Sequence, residues 1–66
     1  DDKTAIFGEL GLSGEIRSIP NIEKRIEEAS RMGFDKIIVP VQNGKVNKKG
    51  LIQVKTLKQA IEKGLG

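Results

Sequence analysis

The side chains that could carry out chemistry in this chain are three serines and a surplus of basic residues. Ser13, Ser18 and Ser30 are the candidate oxygen nucleophiles, and the sequence contains neither cysteine nor histidine. The usual general base and the usual zinc ligands are therefore missing. A serine–lysine pair needs no histidine, which leaves lysines, chiefly Lys24, as formal partners for a serine. The residue types alone give little support for catalysis.

The acidic residues do not form a recognisable acid–base pair. Glu23, Glu27 and Glu28 fall in a strongly helical stretch, where we expect them on the solvated surface. A carboxylate with a raised pKa needs burial or a close like charge, and nothing in this stretch implies either.

Three glycines at three-residue spacing, Gly8, Gly11 and Gly14, raise the question of phosphate binding. A nucleotide-binding turn has the pattern G-x-G-x-x-G between a strand and a helix, or G-x-x-x-x-G-K-[ST]. Neither pattern occurs here, and an extended stretch rather than a helix follows the glycines. The sequence therefore predicts a hairpin turn or corner in which glycine frees the backbone.

The positive charge of the chain is unevenly distributed. There are 12 Lys and Arg against 9 Asp and Glu, a net charge of +3. Between Gln42 and Lys55 the sequence has lysines and no acid. Such a run is most often a solvated loop, and the alternative is a contact surface for phosphates or for an acidic neighbour.

The first half of the chain must position these residues on two strands and a helix. Residues 4–10 have the composition of a strand, residues 11–14 that of a turn, and residues 15–17 that of a short returning strand. Asn21 is predicted to cap a helix, and Gly33 is predicted to end it in a left-handed conformation. The helical spacing places these apolar residues on its inner face: Ile22, Ile26, Ala29 and Met32.

The second half predicts two further strands and a helix. The run 36–39, stopped by Pro40, is typical of a strand buried on both faces, as in a parallel sheet. A strand at 51–55 precedes a capping box of Thr56 and Gln59. The last helix would run to about Lys63, closed by Gly64, with these residues inward: Leu57, Ala60 and Ile61. The predicted fold is a mixed α/β (α+β) domain with the order β-β-α-β-β-α.

With 66 residues the chain makes one small domain or a fragment, at 1–66. A domain of this size buries only about 60% of its unfolded surface, and Phe7 and Phe34 are the only aromatic residues for the core. The chain opens with Asp1 rather than methionine, so we expect a piece of a longer protein. No apolar run approaches the roughly 20 residues of a membrane span, and the lack of cysteine is compatible with the cytoplasm.

Residues 7–40, FGELGLSGEIRSIPNIEKRIEEASRMGFDKIIVP, resemble the C-terminal half of a Lon-protease-type domain. That family has a Gly-Glu strand, a Thr/Ser-Gly turn, a returning strand, a helix and a Gly-φ-x-x-φ-φ-φ-Pro strand (φ apolar). Within this superfamily the chain is most similar to the C-terminal domain of RadA-like (Sms) bacterial DNA repair proteins. Residues 8–17 and the helix opening Asn21-Ile22-Glu23-x-Arg25 carry that likeness.

The resemblance implies a protease-like fold without peptidase activity. Active Lon proteases use a serine–lysine dyad whose lysine stands at the start of this helix, and without gaps that position is Glu23. A carboxylate cannot activate the serine and support the oxyanion as an amine does. Lys24 is one residue away, about 100° around the helix, and the dyad serine belongs to the half-domain that precedes this one. The alternative is the lysine-side half of an ATP-dependent Lon-type serine peptidase.

The resemblance also implies a RadA-like parent, an ATPase of DNA repair and recombination that assembles as a hexameric ring. Such proteins carry their zinc motif and ATP site upstream, so we expect no cofactor or metal in this segment. It would support the ring through contacts between copies and would contact DNA. The candidate phosphate contacts are the following basic residues: Arg17, Lys24, Arg25, Arg31, Lys45, Lys48 and Lys49. No aromatic platform accompanies them, so the alternatives are ordinary surface charge and an oligomerisation role without DNA.

Overall fold

The computed structural model describes residues 3–42 and 48–64, which contain five strands and two helices. Their order is β1 (Thr4–Ile6), β2 (Glu9–Leu10), β3 (Ile16–Arg17), α1 (Ile22–Arg31), β4 (Lys36–Pro40), β5 (Leu51–Val54) and α2 (Leu57–Gly64). The mixed α/β class is confirmed. The predicted element order also holds, except that the first predicted strand is two strands.

β4 is the centre of a three-stranded parallel sheet with the order β1-β4-β5. Successive residues of a strand face opposite sides of the sheet, so Ile37 and Val39 face one side and Ile38 faces the other. All three side chains are completely buried. The predicted burial of this strand on both faces is therefore confirmed.

The two helices cover opposite faces of the sheet. Ile26 and Ala29 of α1 form a buried cluster with Ile37 and Val39. On the other face, α2 packs against Ile38, and a Cβ atom added to Gly64 would collide with that side chain. Neither helix of the described part of the chain is both long enough and apolar enough to cross a membrane.

The prediction of a single strand at residues 4–10 is wrong. The amide of Phe7 still donates to the carbonyl of Ile38 at 2.9 Å, and the chain then leaves the sheet at Gly8, which approaches β3 at a φ of 155°. A Cβ atom there would lie 2.6 Å from Cγ2 of Ile16, so only glycine allows this approach. The chain then forms an antiparallel hairpin of β2 and β3. The glycine-rich segment is a corner and turn, as predicted.

Three apolar residues that were predicted to point inward are exposed. Met32 is 68% exposed because it follows the last residue of α1 and leaves the buried stripe. Leu57 and Ile61 are 43% and 50% exposed. The residue of α2 that packs against the sheet is the smaller Ala60, because the helix lies close to the sheet. Leu57 and Ile61 therefore lie on the outer flank of α2.

Candidate nucleic-acid interface

The end of α1 is a hydrogen-bonded motif that fixes the position of Phe34. The amide of Gly33 donates to the carbonyl of Ser30, and the amide of Phe34 donates to the carbonyl of Ala29, each at 3.2 Å. This pairing is a Schellman motif. Gly33 has a φ of 89°, which confirms the predicted glycine cap. Phe34 is half-buried and packs against the α1 side of the core.

The turn that leads into β5 lies against the same end of α1. The amide of Leu51 donates to the carbonyl of Lys48 at 3.1 Å, and Gly50 adopts a φ of 83°. The register of the sheet pairs Ile37 with Leu51. Counted two residues back from this pair on each strand, the same register places Lys49 beside Asp35.

These two segments form a shallow depression with a volume of about 250 Å³. Its lining combines an ammonium group, a carboxylate, a hydroxyl group and an aromatic ring, from Lys49, Asp35, Ser30 and Phe34, together with Gly33. An anionic group could bind at Lys49 while a flat apolar group lies against the ring. We call this the Phe34–Lys49 depression.

A second depression, of about 220 Å³, lies at the start of α1. Asn21, Lys24, Arg25 and Glu28 line it, so the structure brings the two predicted basic residues of the first helical turns together. Its described lining offers an amide, two cations and a carboxylate but no hydroxyl group. The Lys24 side chain therefore has no nucleophile as a neighbour in this lining.

The exposed face of α1 carries no net charge. The cations Lys24, Arg25 and Arg31 are balanced by three carboxylates on the same helix: Glu23, Glu27 and Glu28. Lys24 and Arg31 are seven residues apart and share one side of the helix, with Glu28 between them. A phosphate that approaches α1 would meet carboxylates as well as cations. The excess of positive charge lies outside this helix.

Arg17 is held by a neighbouring carboxylate. Its Nη2 and Nε atoms lie 2.6 and 3.2 Å from Oε2 of Glu15, and Oε1 of Glu15 accepts a hydrogen bond from the amide of Ser13 at 3.1 Å. The hydrogen bond with Arg17 lowers the pKa of the Glu15 carboxyl and raises the pKa of the guanidinium. Glu9 lies opposite Arg17 in the hairpin. Two carboxylates thus offset the charge of Arg17, which makes it a poorer phosphate contact than an unpaired cation would be.

The structure divides the predicted contacts among three places. Lys24 and Arg25 lie at the start of α1, Arg17 lies on the hairpin, and Lys49 lies at the end of α1 with Lys48 next to it. Arg31 is exposed in the last turn of α1. Lys45 lies outside the described residues.

No local pattern in the sequence groups Phe34 with Lys49. Phe34 was predicted only as a core residue, and no aromatic residue was predicted near the basic residues, whereas Phe34 and Lys49 line the same depression. Both residues line one depression because β4 and β5 pair in this register, and the pairing of two strands separated by a loop cannot be read from either strand alone.

Glu23, which the resemblance places at the position of a dyad lysine, is exposed in the first turn of α1. It is not part of the lining that contains Lys24. In residues 3–42 and 48–64 there is no group of three or more His, Cys, Asp or Glu side chains that could hold a metal ion.

Comparison with known proteins identifies a family and a set of relatives. A family model described as Subunit ChlI of Mg-chelatase matches residues 1–43. The DNA repair protein RadA of Listeria monocytogenes is 42% identical over 63 residues, which cover 89% of this chain and 14% of that protein. RadA of Pseudomonas aeruginosa is 45% identical over 60 residues, covering 86% and 13%. RadA of Bacillus subtilis is 40% identical over 64 residues, covering 91% and 14%.

The chain thus spans about 14% of the length of these curated relatives. The family model matches well over half of the chain, and the similarity to RadA extends over most of it. The chain therefore belongs to the family described as Subunit ChlI of Mg-chelatase, and it is homologous to a segment of DNA repair protein RadA.

Proposed function

We propose that this chain is a non-catalytic, Lon-protease-like module of a RadA-like ATPase of DNA repair and recombination. The module would support assembly of a ring and contact DNA in the cytoplasm. The observation that carries this proposal is the 40–45% identity to RadA over 86–91% of the chain. Such a parent would bind ATP and zinc outside this segment, which has neither cysteine nor histidine.

The lack of peptidase activity is proposed from the side chains at the start of α1. Glu23 is exposed where a dyad lysine would be required, and a carboxylate cannot supply the chemistry of an amine there. Lys24 shares its depression with an amide, a guanidinium and a carboxylate. A full-length parent should release no peptides from an unfolded protein, with or without ATP. Peptide release that Lys24→Ala abolishes would instead support a Lon-type serine peptidase.

The lysines next to β5 are stronger candidates for DNA contact than the basic residues of α1. Lys48 and Lys49 are exposed, and Asp35 is the one carboxylate that shares the depression with Lys49. The three cations of α1 are matched by three carboxylates on the same helix. Each phosphate that a lysine neutralises releases counterions, so the resulting affinity falls as the salt concentration rises.

The test is a salt series of DNA binding, measured by fluorescence anisotropy with labelled single-stranded and branched DNA. The double variant Lys48→Glu, Lys49→Glu should bind more weakly, and its slope of log affinity against log salt should be smaller by about 0.7 per lost contact on single strands. The control, Lys58→Glu with Lys63→Glu on α2, has the same change in charge and should keep most of the affinity. Wild-type binding no stronger than that of the Lys48/Lys49 variant would contradict DNA contact.

A further inference from the structure

We infer that the Phe34–Lys49 depression binds one unstacked nucleotide of single-stranded DNA, with the base against Phe34 and the adjacent phosphate on Lys49. This inference rests on the proposed DNA contact and specifies which form of DNA the module binds. It requires an aromatic surface, a cation within reach of it, and a cavity of suitable size.

The aromatic surface is held in place before any ligand binds. The Schellman motif fixes the backbone of Phe34, and the buried part of its side chain packs on the α1 side of the core. The remaining surface of the side chain lines the depression. Aromatic side chains held in this way are the platforms on which proteins stack unpaired bases, since every base has a flat face.

The cation is supplied by a turn that packs against the protein backbone. A Cβ atom at Gly50 would collide with the carbonyl oxygen of Asp35, so this turn closely contacts the segment that carries Phe34. Lys49 is exposed on this turn. Asp35 is the one carboxylate in the lining, and it can accept a hydrogen bond from an N–H group of a base, such as N3–H of thymine. The phosphate would therefore bind on the Lys49 side.

The size of the depression favours one base over a whole cofactor. Its volume of about 250 Å³ is below the range of roughly 300–1,000 Å³ typical of small-molecule sites. Because it is shallow, a strand can enter and leave on either side. The internal bases of a duplex are already stacked on both neighbours, so away from its ends a duplex cannot place the face of a base on Phe34.

The depression at the start of α1 provides an internal comparison. Lys24 and Arg25 offer two cations there, but the lining contains no aromatic ring. We expect that depression to contact phosphates of single strands and duplexes alike. A preference for single strands should therefore depend on Phe34 and not on Lys24.

The test compares Phe34→Leu, Lys49→Gln and the control Lys24→Gln in the 66-residue chain. The probes are a labelled oligothymidylate and a duplex of equal length whose two ends are closed by non-nucleotide linkers. Phe34→Leu should weaken oligothymidylate binding by about 5- to 100-fold without changing its salt slope or the affinity for the duplex. Lys49→Gln should reduce the salt slope by about 0.7. Lys24→Gln should weaken binding of both probes to a similar extent.

A tryptophan variant supplies a second readout in case Phe34→Leu does not fold. The chain contains no tryptophan or tyrosine, so Phe34→Trp introduces a single fluorophore at the site. Oligothymidylate should quench it, and the duplex should not. Unchanged fluorescence at saturating oligothymidylate, or wild-type affinity in Phe34→Leu, would overturn this inference while leaving DNA contact intact. Failure of the wild-type chain to bind either probe would overturn the proposed DNA contact as well.

Discussion

Among single residues, Glu15 makes the most specific contacts in the hairpin. One of its carboxylate oxygens accepts from the amide of Ser13, and the other accepts from Arg17. The carboxylate also lies so close to Gly11 that a Cβ atom there would collide with it. Gly11 has no positive φ, and a larger residue there would displace this carboxylate from its present position. The hairpin turn and the orientation of Arg17 both depend on the same ionised group.

Glu15→Gln should lower the thermal unfolding midpoint near neutral pH but not in acid. Arg17 lowers the pKa of the folded Glu15 carboxyl from its ordinary value of 4.5. A depressed pKa means that this stabilisation is present above pH 4.5 and is lost as the pH falls through the lowered pKa. Thermal scans of both proteins from about pH 7 to about pH 2 would measure the difference.

The exposed carboxylate of Glu62 on α2 is the matched control for that experiment. Glu62→Gln should change the midpoint little at any pH of the series, since exposed surface charges contribute little to stability. A difference between wild type and Glu15→Gln that stays constant down to the lowest pH would show that the carboxylate charge is not what stabilises the hairpin.

Among the elements, the two helices begin in different ways. The amide of Gln59 donates to Oγ1 of Thr56 at 3.1 Å, so α2 has the predicted side-chain cap. The side chain of Gln59 accepts from the amide of Lys55 at 2.7 Å, one residue before the position that a capping box requires. Asn21 precedes α1 in a left-handed conformation, φ 60° and ψ 33°, and its side chain makes no capping hydrogen bond, so the predicted Asn21 side-chain cap is wrong.

Removing the cap of α2 should therefore destabilise the protein, whereas shortening the side chain at the start of α1 should not. Thr56→Ala should cost about 1 kcal/mol of unfolding free energy, a large share of the roughly 3–10 kcal/mol expected for a chain of this length. Asn21→Gly should be neutral or stabilising by a few tenths of a kcal/mol, because glycine adopts the left-handed conformation readily.

Urea unfolding measures both effects on one scale. The midpoint should fall for Thr56→Ala and stay at or above the wild-type value for Asn21→Gly, with the same slope in each case. Equal destabilisation by the two changes would mean that the Asn21 side chain makes a contact that matters in the folded state.

The elements that could be predicted have local signals. The spacing of Ile22, Ile26 and Ala29 identifies α1, and the apolar run before Pro40 identifies β4. The break between β1 and β2 could not be predicted, because it depends on how closely Gly8 approaches Ile16 in the folded chain. The outward position of Ile61 could not be predicted either, because it depends on how closely α2 packs against the sheet, and no local pattern specifies that distance.

The candidate site was only partly predictable for the same reason. The basic residues were identified from composition, but their grouping depends on the register between β4 and β5. That register, and the end of α1 at Gly33, place Phe34 beside Lys49. Arg17 looked as favourable as the lysines in the sequence, since its pairing with Glu15 across one residue of a hairpin is not apparent before the hairpin is known.

For the molecule as a whole, the exposed apolar side chains are the feature most relevant to assembly. Ile6 is 56% exposed on β1, an edge strand of the described sheet, and Leu10 and Leu12 are exposed on the hairpin. Open edges and large apolar groups on a small surface favour pairing with another chain. They support the proposed contacts between copies in a ring.

The isolated chain should accordingly self-associate as its concentration rises, which sedimentation equilibrium would detect. Ile6→Lys should weaken this association, because a charge on an edge strand opposes pairing. The control Glu62→Lys adds a lysine on α2, away from β1, and should have less effect. A clean monomer at high concentration would count against assembly through these surfaces.

Amide chemical shifts during a titration of the ¹⁵N-labelled chain with oligothymidylate test most directly whether this module contacts single-stranded DNA at the end of α1. We expect the largest changes in residues 30–35 and 48–50, with smaller changes in residues 21–25. Absence of any change at saturating DNA, or changes confined to residues 8–17 of the hairpin, would contradict that claim.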